Sequence, residues 1–110
     1  MPTTYKVLGQ QATAATTDTT LYTVPAATSS VISTIVVANR AAVTSTYRIA
    51  IRPAGAALAD QHYIAYDVTV GAGDSTTLTL GITLAATDVI TVRASTVNLT
   101  FSAFGSEITP

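Results

Sequence analysis

The chain has 110 residues, 48% of them hydrophobic and only 10% charged, with a formal net charge of −1. That is one domain with ample material for a core, and too little concentrated charge for a nucleic-acid or anionic-membrane partner. The absence of cysteine removes any disulfide framework, thiolate metal site or thiol nucleophile.

No apolar run approaches the roughly 20 residues that span a bilayer. Met1 to Lys6 lacks the basic start and hydrophobic block of a secretory signal, so the expectation is a protein made and kept soluble. About a fifth of the residues are threonine and nearly as many are alanine. Threonine is β-branched and hydroxylated, so it favours extended backbone while remaining tolerable in water. A surface this poor in charge is expected to carry apolar contact patches.

Thr3 to Leu8 places Tyr5 and Val7 on one side and Lys6 and Leu8 on the other, an edge strand or an arm that pairs with a neighbour; Gly9 is expected to end it. Gln10 to Asp18 has no periodicity and reads as a flexible loop. Residues 1–18 are thus a strand or arm plus loop, and 19–110 the main domain. Leu21 to Val24 is a short strand closed by Pro25, which biases Val24 toward extended geometry. Val31 to Ala38, almost unbroken Val and Ile, predicts a strand covered on both faces. Asn39-Arg40-Ala41-Ala42 reads as a hairpin connection, after which Tyr47, Ile49 and Ile51 alternate with Arg48, Ala50 and Arg52 in the period of a half-buried strand.

Pro53 to Gly55 closes that strand, and Ala56 to Gln61 is a helical turn or wide loop with Leu58 pinned to the core. From His62 to Val70, Ile64, Tyr66, Val68 and Val70 face one way, while Tyr63, Ala65, Asp67 and Thr69 face the other. Gly71 to Asp74 is a turn. Leu78, Leu80 and Ile82 then share a side, with Gly81 marking a bulge or strand end. Val89 to Ala94 is the next strand, followed by a turn near Ser95. The last strand, Val97 to Ala103, directs Val97, Leu99, Phe101 and Ala103 inward, and a polar tail follows from Gly105 to Pro110. About eight short strands at this spacing predict a single-domain, all-β antiparallel sandwich or jelly roll; a closed barrel uses the same alternation.

Convergent chemistry is sparse. His62 is the single imidazole, no nucleophile elbow accompanies it, and strand alternation sets it on the opposite face from Asp67. It reads as a surface or strand-entry histidine. Asp18, Asp60, Asp74 and Asp88 each sit beside a turn, where an aspartate bonds local backbone, and calcium-loop spacing does not occur. Gly71-Ala72-Gly73 lacks both the third glycine of a dinucleotide fingerprint and the lysine of a P-loop. Asn98-Leu99-Thr100 matches the glycosylation pattern by chance. The expectation is a protein without catalytic residues, cofactor or metal. Arg48 and Arg52 project from one face of one strand and Arg93 joins them. They read either as a subunit contact for a partner's carboxylate or as a solvated outer face. Outward Phe104 is a candidate interface residue, or simple edge packing.

The segments TTLYTVPAATSSVISTIVVANR, TYRIAIRPAGAALADQHYIAYD and LTLGITLAATDVITVRAST resemble a family of small virion structural proteins from tailed phages, notably cyanophages. The resemblance runs from about Thr19 to Glu107 and is most specific at LYTVP, at VANR with YRIAIRPAG, and at GITLAATDVITV. It implies a noncatalytic β protein built into the particle, assembled in the host cytoplasm, and transfers no functional residues. Within that frame the chain is expected to be a capsid decoration or cement protein, a homo-oligomer with a trimer favoured, partnered by the major capsid protein. The alternative is a tail or neck component, a ring subunit or adaptor; a carbohydrate-binding host-contact module ranks third.

Overall fold

The structure, a computed structural model, describes residues 2–110. Within them nine strands follow in chain order: β1 (Thr3–Ala12), β2 (Thr19–Thr23), β3 (Ser29–Asn39), β4 (Ser45–Arg52), β5 (Tyr63–Val70), β6 (Ser75–Leu78), β7 (Ile82–Leu84), β8 (Val89–Ala94) and β9 (Leu99–Ile108). Single 3-10 turns occupy Pro53–Gly55 and Asp60–His62. The strands form two antiparallel sheets, one ordered β1-β9-β3-β6 with β7 also on β3, the other β2-β8-β4-β5. The pairing is nested: β1 with β9, β2 with β8, β3 with β6 and β7, β4 with β5. A chain folded back on itself in this way and then rolled, so that β3 also meets β9 and β4 meets β8, is a jelly roll. The expected sandwich is present, with the jelly-roll order among its possible topologies.

Burial follows the pleat. Ile32, Ile35 and Val37 of β3 and Leu99, Phe101 and Ala103 of β9 point from one sheet into the gap; Tyr47 and Ile49 of β4 and Ile90 and Val92 of β8 meet them from the other. Tyr47 and Phe101 cross the gap edge to face, ring centroids 6.2 Å apart. Each such aliphatic or aromatic side chain contributes about 1.5–3 kcal/mol by leaving water.

Several expectations change in the structure. Asn39 to Ala42 does not close a hairpin, because β3 and β4 lie in different sheets. The segment is a corner, and buried Asn39 holds it by donating from Nδ2 to the carbonyls of Val43, Val70 and Gly71. β3 is not covered on both faces: its inner side chains are buried, while Val31, Val36 and Ala38 are half-buried on the outside. β1 runs through Gly9 to Ala12, taking in three residues of the expected loop, because a register shift between Val7 and Gly9 absorbs the irregularity. Gly9 is needed there, since a Cβ would lie 2.0 Å from the Leu21 carbonyl oxygen. The expected polar tail is strand as far as Ile108, paired with both β1 and β3. Val97 is exposed in the turn before β9. The ninth strand arises because the run from Ser75 to Leu84 breaks at Gly81 (φ +62°), which leaves Leu80 outside while Leu78 and Ile82 pack on the core.

Candidate interaction site

The four-stranded sheet presents a charged outer face. Arg48 of β4 and Arg93 of β8 are cross-strand partners, an arrangement that repels unless compensated. The compensation comes from an irregularity in β5. Between Ala65 and Val68 the register against β4 shifts, and Asp67 adopts a left-handed φ of +52°, the geometry of a bulge that re-aims a side chain. Arg48 donates from Nε to Asp67 Oδ1 at 2.7 Å and from Nη2 to Oδ2 at 3.3 Å. Its guanidinium carbon lies 4.1 Å from the centroid of the Tyr66 ring, close enough for cation–π attraction, and Tyr63 meets Tyr66 edge on at 4.9 Å. The Arg48 hydrogen bond holds the Asp67 carboxyl below the usual carboxylate range. Arg93 reaches Asp18 more loosely, at 3.6 Å. Between them lies a cleft of about 210 Å³ that Thr16, Thr46 and Ser95 help to line.

Of the residues singled out in sequence, Arg48 and Arg93 are therefore brought together and Arg52 is not. Arg52 donates to the carbonyls of Ala56 (2.7 Å) and Gly55 (3.0 Å) and to Thr91 Oγ1 (3.2 Å), fastening the loop after β4 onto its own sheet. Phe104 is elsewhere, on the outer face of the five-stranded sheet. It pairs with Val7 on one side and Thr34 on the other, half-buried, in a shallow groove of about 600 Å³ with Tyr5, Val7 and Val31. Tyr5 is 84% exposed and Val7 49%. The next row of that sheet, Tyr5, Ser106 and Val31, continues the same face, so the groove is walled by neutral side chains apart from Lys6, whose ammonium is paired with Glu107.

Reasoning from sequence missed Tyr66 and Asp67 as a unit. The available signal was an aspartate inside an aliphatic β run, a residue type strands disfavour and bulges accommodate. Strict alternation also overstated β5: of Ile64, Tyr66, Val68 and Val70 only Val70 is buried, because two register shifts against β4 turn the others outward or to the rim.

One polar network lies at the end of the sandwich beneath the groove. Glu107 accepts from Lys6 Nζ at 3.0 Å and from the Tyr22 hydroxyl, which also meets Ser30 Oγ at 2.7 Å. Burial, followed by the neighbouring Glu107 carboxylate, pushes the Tyr22 hydroxyl up to about 12; the Tyr22 and Lys6 hydrogen bonds hold Glu107 below its ordinary value. The aspartates bond turns as expected at Asp74, which accepts from Ser75 N–H, and at Asp88, which accepts from Ala54 and Ala85 N–H. His62 Nδ1 accepts from Ala59 N–H at 3.1 Å within its own turn. Among the described residues no three of His, Cys, Asp and Glu gather as metal ligands would, and no helix is long and apolar enough to cross a membrane. No family model matches the chain, and no curated protein matches it either.

Proposed function

We propose that this chain is a noncatalytic structural protein of a phage virion, a capsid decoration (cement) protein that stabilises the shell by adding contacts between its subunits. The observation that carries this reading is the largely apolar groove of Tyr5, Val7, Val31 and Phe104 on the outer face of the five-stranded sheet, whose one charged lining residue, Lys6, is paired with Glu107, in a chain with few charges to spend on solvation. Large contiguous apolar patches mark contact surfaces, and half-exposed aromatics are the side chains that anchor them. A jelly roll is compatible with capsid domains but also with lectins and cupins, so the fold by itself does not choose; the phage resemblance of the sequence supports a virion role. A protein that binds the assembled shell and not its dissociated subunits stabilises assembly by mass action, by about 2.7 kcal/mol per site at a hundredfold excess over its dissociation constant.

The second reading, a ring subunit or adaptor of the tail or neck, draws on the contrast between the two outer faces. One is largely apolar, with Lys6 its one charged groove residue, and the other carries Arg48, Arg93, Asp18 and Asp67, as a subunit with two different neighbours would need.

The test is to mix purified protein with shells stripped of it and to follow shell melting. Rebinding with a rise in melting temperature supports cement. A shell that neither takes up the protein nor gains heat resistance rules that role out and leaves the tail or neck.

A further inference from the structure

A sheet edge is a row of unsatisfied backbone donors and acceptors, and proteins guard such rows against pairing with other chains. Three of the four edges in this sandwich are guarded. β5 carries two register shifts, a left-handed residue at Asp67 and the Arg48–Asp67 ion pair. The edge formed by β6 and β7 is cut into pieces of four and three residues by the break at Gly81. β2 is faced by the second half of β1, where Gly9 sits against the Leu21 carbonyl and Gln11 Nε2 donates to the Thr20 carbonyl at 3.2 Å.

The first half of β1 has none of these devices. Thr3 to Val7 pairs with β9 residue for residue, Thr3 with Ile108 through Val7 with Phe104, before the register shift. All five residues are exposed, and among the described residues no strand lies on their other side. The one charge in β1, Lys6, would ordinarily repel a second edge, but its ammonium is held by Glu107 at 3.0 Å.

We propose that Thr3–Val7 is a docking edge for a second copy of this chain, paired antiparallel about a twofold axis at Tyr5. The identity of the occupant follows from the edge inventory and from charge. A heterologous ring needs a second, complementary open edge, and the other three are guarded, whereas a twofold pairing needs only the same edge twice. About an axis at Tyr5, Lys6 faces Thr4 of the second copy with the second lysine diagonally across the seam, and both ammonium groups are already neutralised by Glu107. Tyr5 is the midpoint of the open run, so an axis there pairs all five residues: Thr3 with Val7, Tyr5 with Tyr5. The two five-stranded sheets then join edge to edge, and the two Tyr5–Phe104 grooves lie side by side as one surface. A pair takes the place of the trimer expected from sequence. The inference goes beyond the virion reading, and a dimer in solution stands or falls whether or not any shell binds it.

The test uses the full chain in analytical ultracentrifugation. Wild type is expected to move from 11.3 kDa toward twice that mass as concentration rises. Tyr5→Lys, at an exposed position, is expected to stay monomeric with unchanged circular dichroism. Because the chain lacks cysteine, Tyr5→Cys offers a second readout. Opposed antiparallel residues have Cα atoms about 4.5–5.5 Å apart, within disulfide reach, so mild oxidation should give a covalent dimer, while Ile64→Cys on β5 should not. Wild type that remains at monomer mass, a dimer insensitive to Tyr5→Lys, or cross-linking at Ile64→Cys in preference to Tyr5→Cys would each overturn the proposal.

Discussion

β1 and β5 are the outer strands of opposite sheets, and both expose large apolar side chains. Tyr5 and Val7 stand out from one, Ile64 (46% exposed) and Tyr66 (56%) from the other. Their hydrophobicity is similar, but their backbones are not. β5 is interrupted twice, and its bulge turns Asp67 onto Arg48 and sets Tyr66 beside that guanidinium, so its apolar atoms are enlisted within the chain. The first half of β1 is regular, and its lysine is tied to Glu107. On the proposed dimer, stickiness at a sheet edge is set by the continuity of the backbone row and by where nearby charges are spent, more than by how many apolar residues it displays.

The largest effect is expected in the floor that both edges share. Phe101→Ala removes a fully buried ring that joins the sheets through Tyr47 and should cost about 3–5 kcal/mol in urea denaturation. Its neighbour on the opposite face, Phe104→Ala, should leave most of the stability intact; equal losses would erase the distinction between inner and outer faces of β9. Next is Gly9→Ala, which drives a methyl into the Leu21 carbonyl. Backbone cannot step aside as a side chain does, so about 1–3 kcal/mol of stability should be lost, with faster amide exchange along β1 and unchanged exchange along β5. Loss of protection at β5 as well would mean that the two edges are not independent.

Smaller and pH-dependent is the network at Glu107. Its folded pKa lies below the unfolded value, so it contributes stability that is present above about pH 4.3, the ordinary glutamate value, and is lost as pH falls through the folded value. Glu107→Gln should lower the melting temperature at neutral pH and flatten its decline in acid. Tyr22 acts at the other end. Raised from 10.0 to about 12, it contributes stability that is full below pH 10 and lost as pH climbs toward 12, and Tyr22→Phe should reduce that alkaline loss. The smallest effect is assigned to Arg48→Met. The Arg48–Asp67 pair is solvent-facing, and exposed ion pairs contribute little; melting should hardly move. Any change should be a gain in self-association through β5 once its charge guard is removed. A large loss of stability would show that the cluster holds the sheet together instead of guarding its edge.

The alternation of Tyr47, Ile49 and Ile51 and of Leu99, Phe101 and Ala103 made the strands and most of the core legible in sequence, because side-chain period is local information. Sheet membership was not legible. Asn39 to Ala42 reads as a hairpin from its residue types, and only the carbonyls that Asn39 gathers, from Val43 nearby and from Val70 and Gly71 some thirty residues on, make it a corner. The continuation of β9 past Gly105 depends on two neighbouring strands that satisfy its backbone, which local polarity does not reveal. In the candidate sites, the paired outward arginines Arg48 and Arg93 could be found by counting along their strands. Arg52 could not be separated from them, since its partners are backbone carbonyls a few residues on. The groove around Phe104 needed the register of β1 against β9, a long-range pairing that local side-chain period does not specify.

The proposed role, fitting against other protein surfaces in a virion, is tested most directly by imaging purified particles at near-atomic resolution. The prediction is density for a small jelly roll repeated over the shell, with the Tyr5–Phe104 face covered by capsid subunits and copies meeting through β1. Particles in which shell, neck and tail are all accounted for without this fold would contradict it.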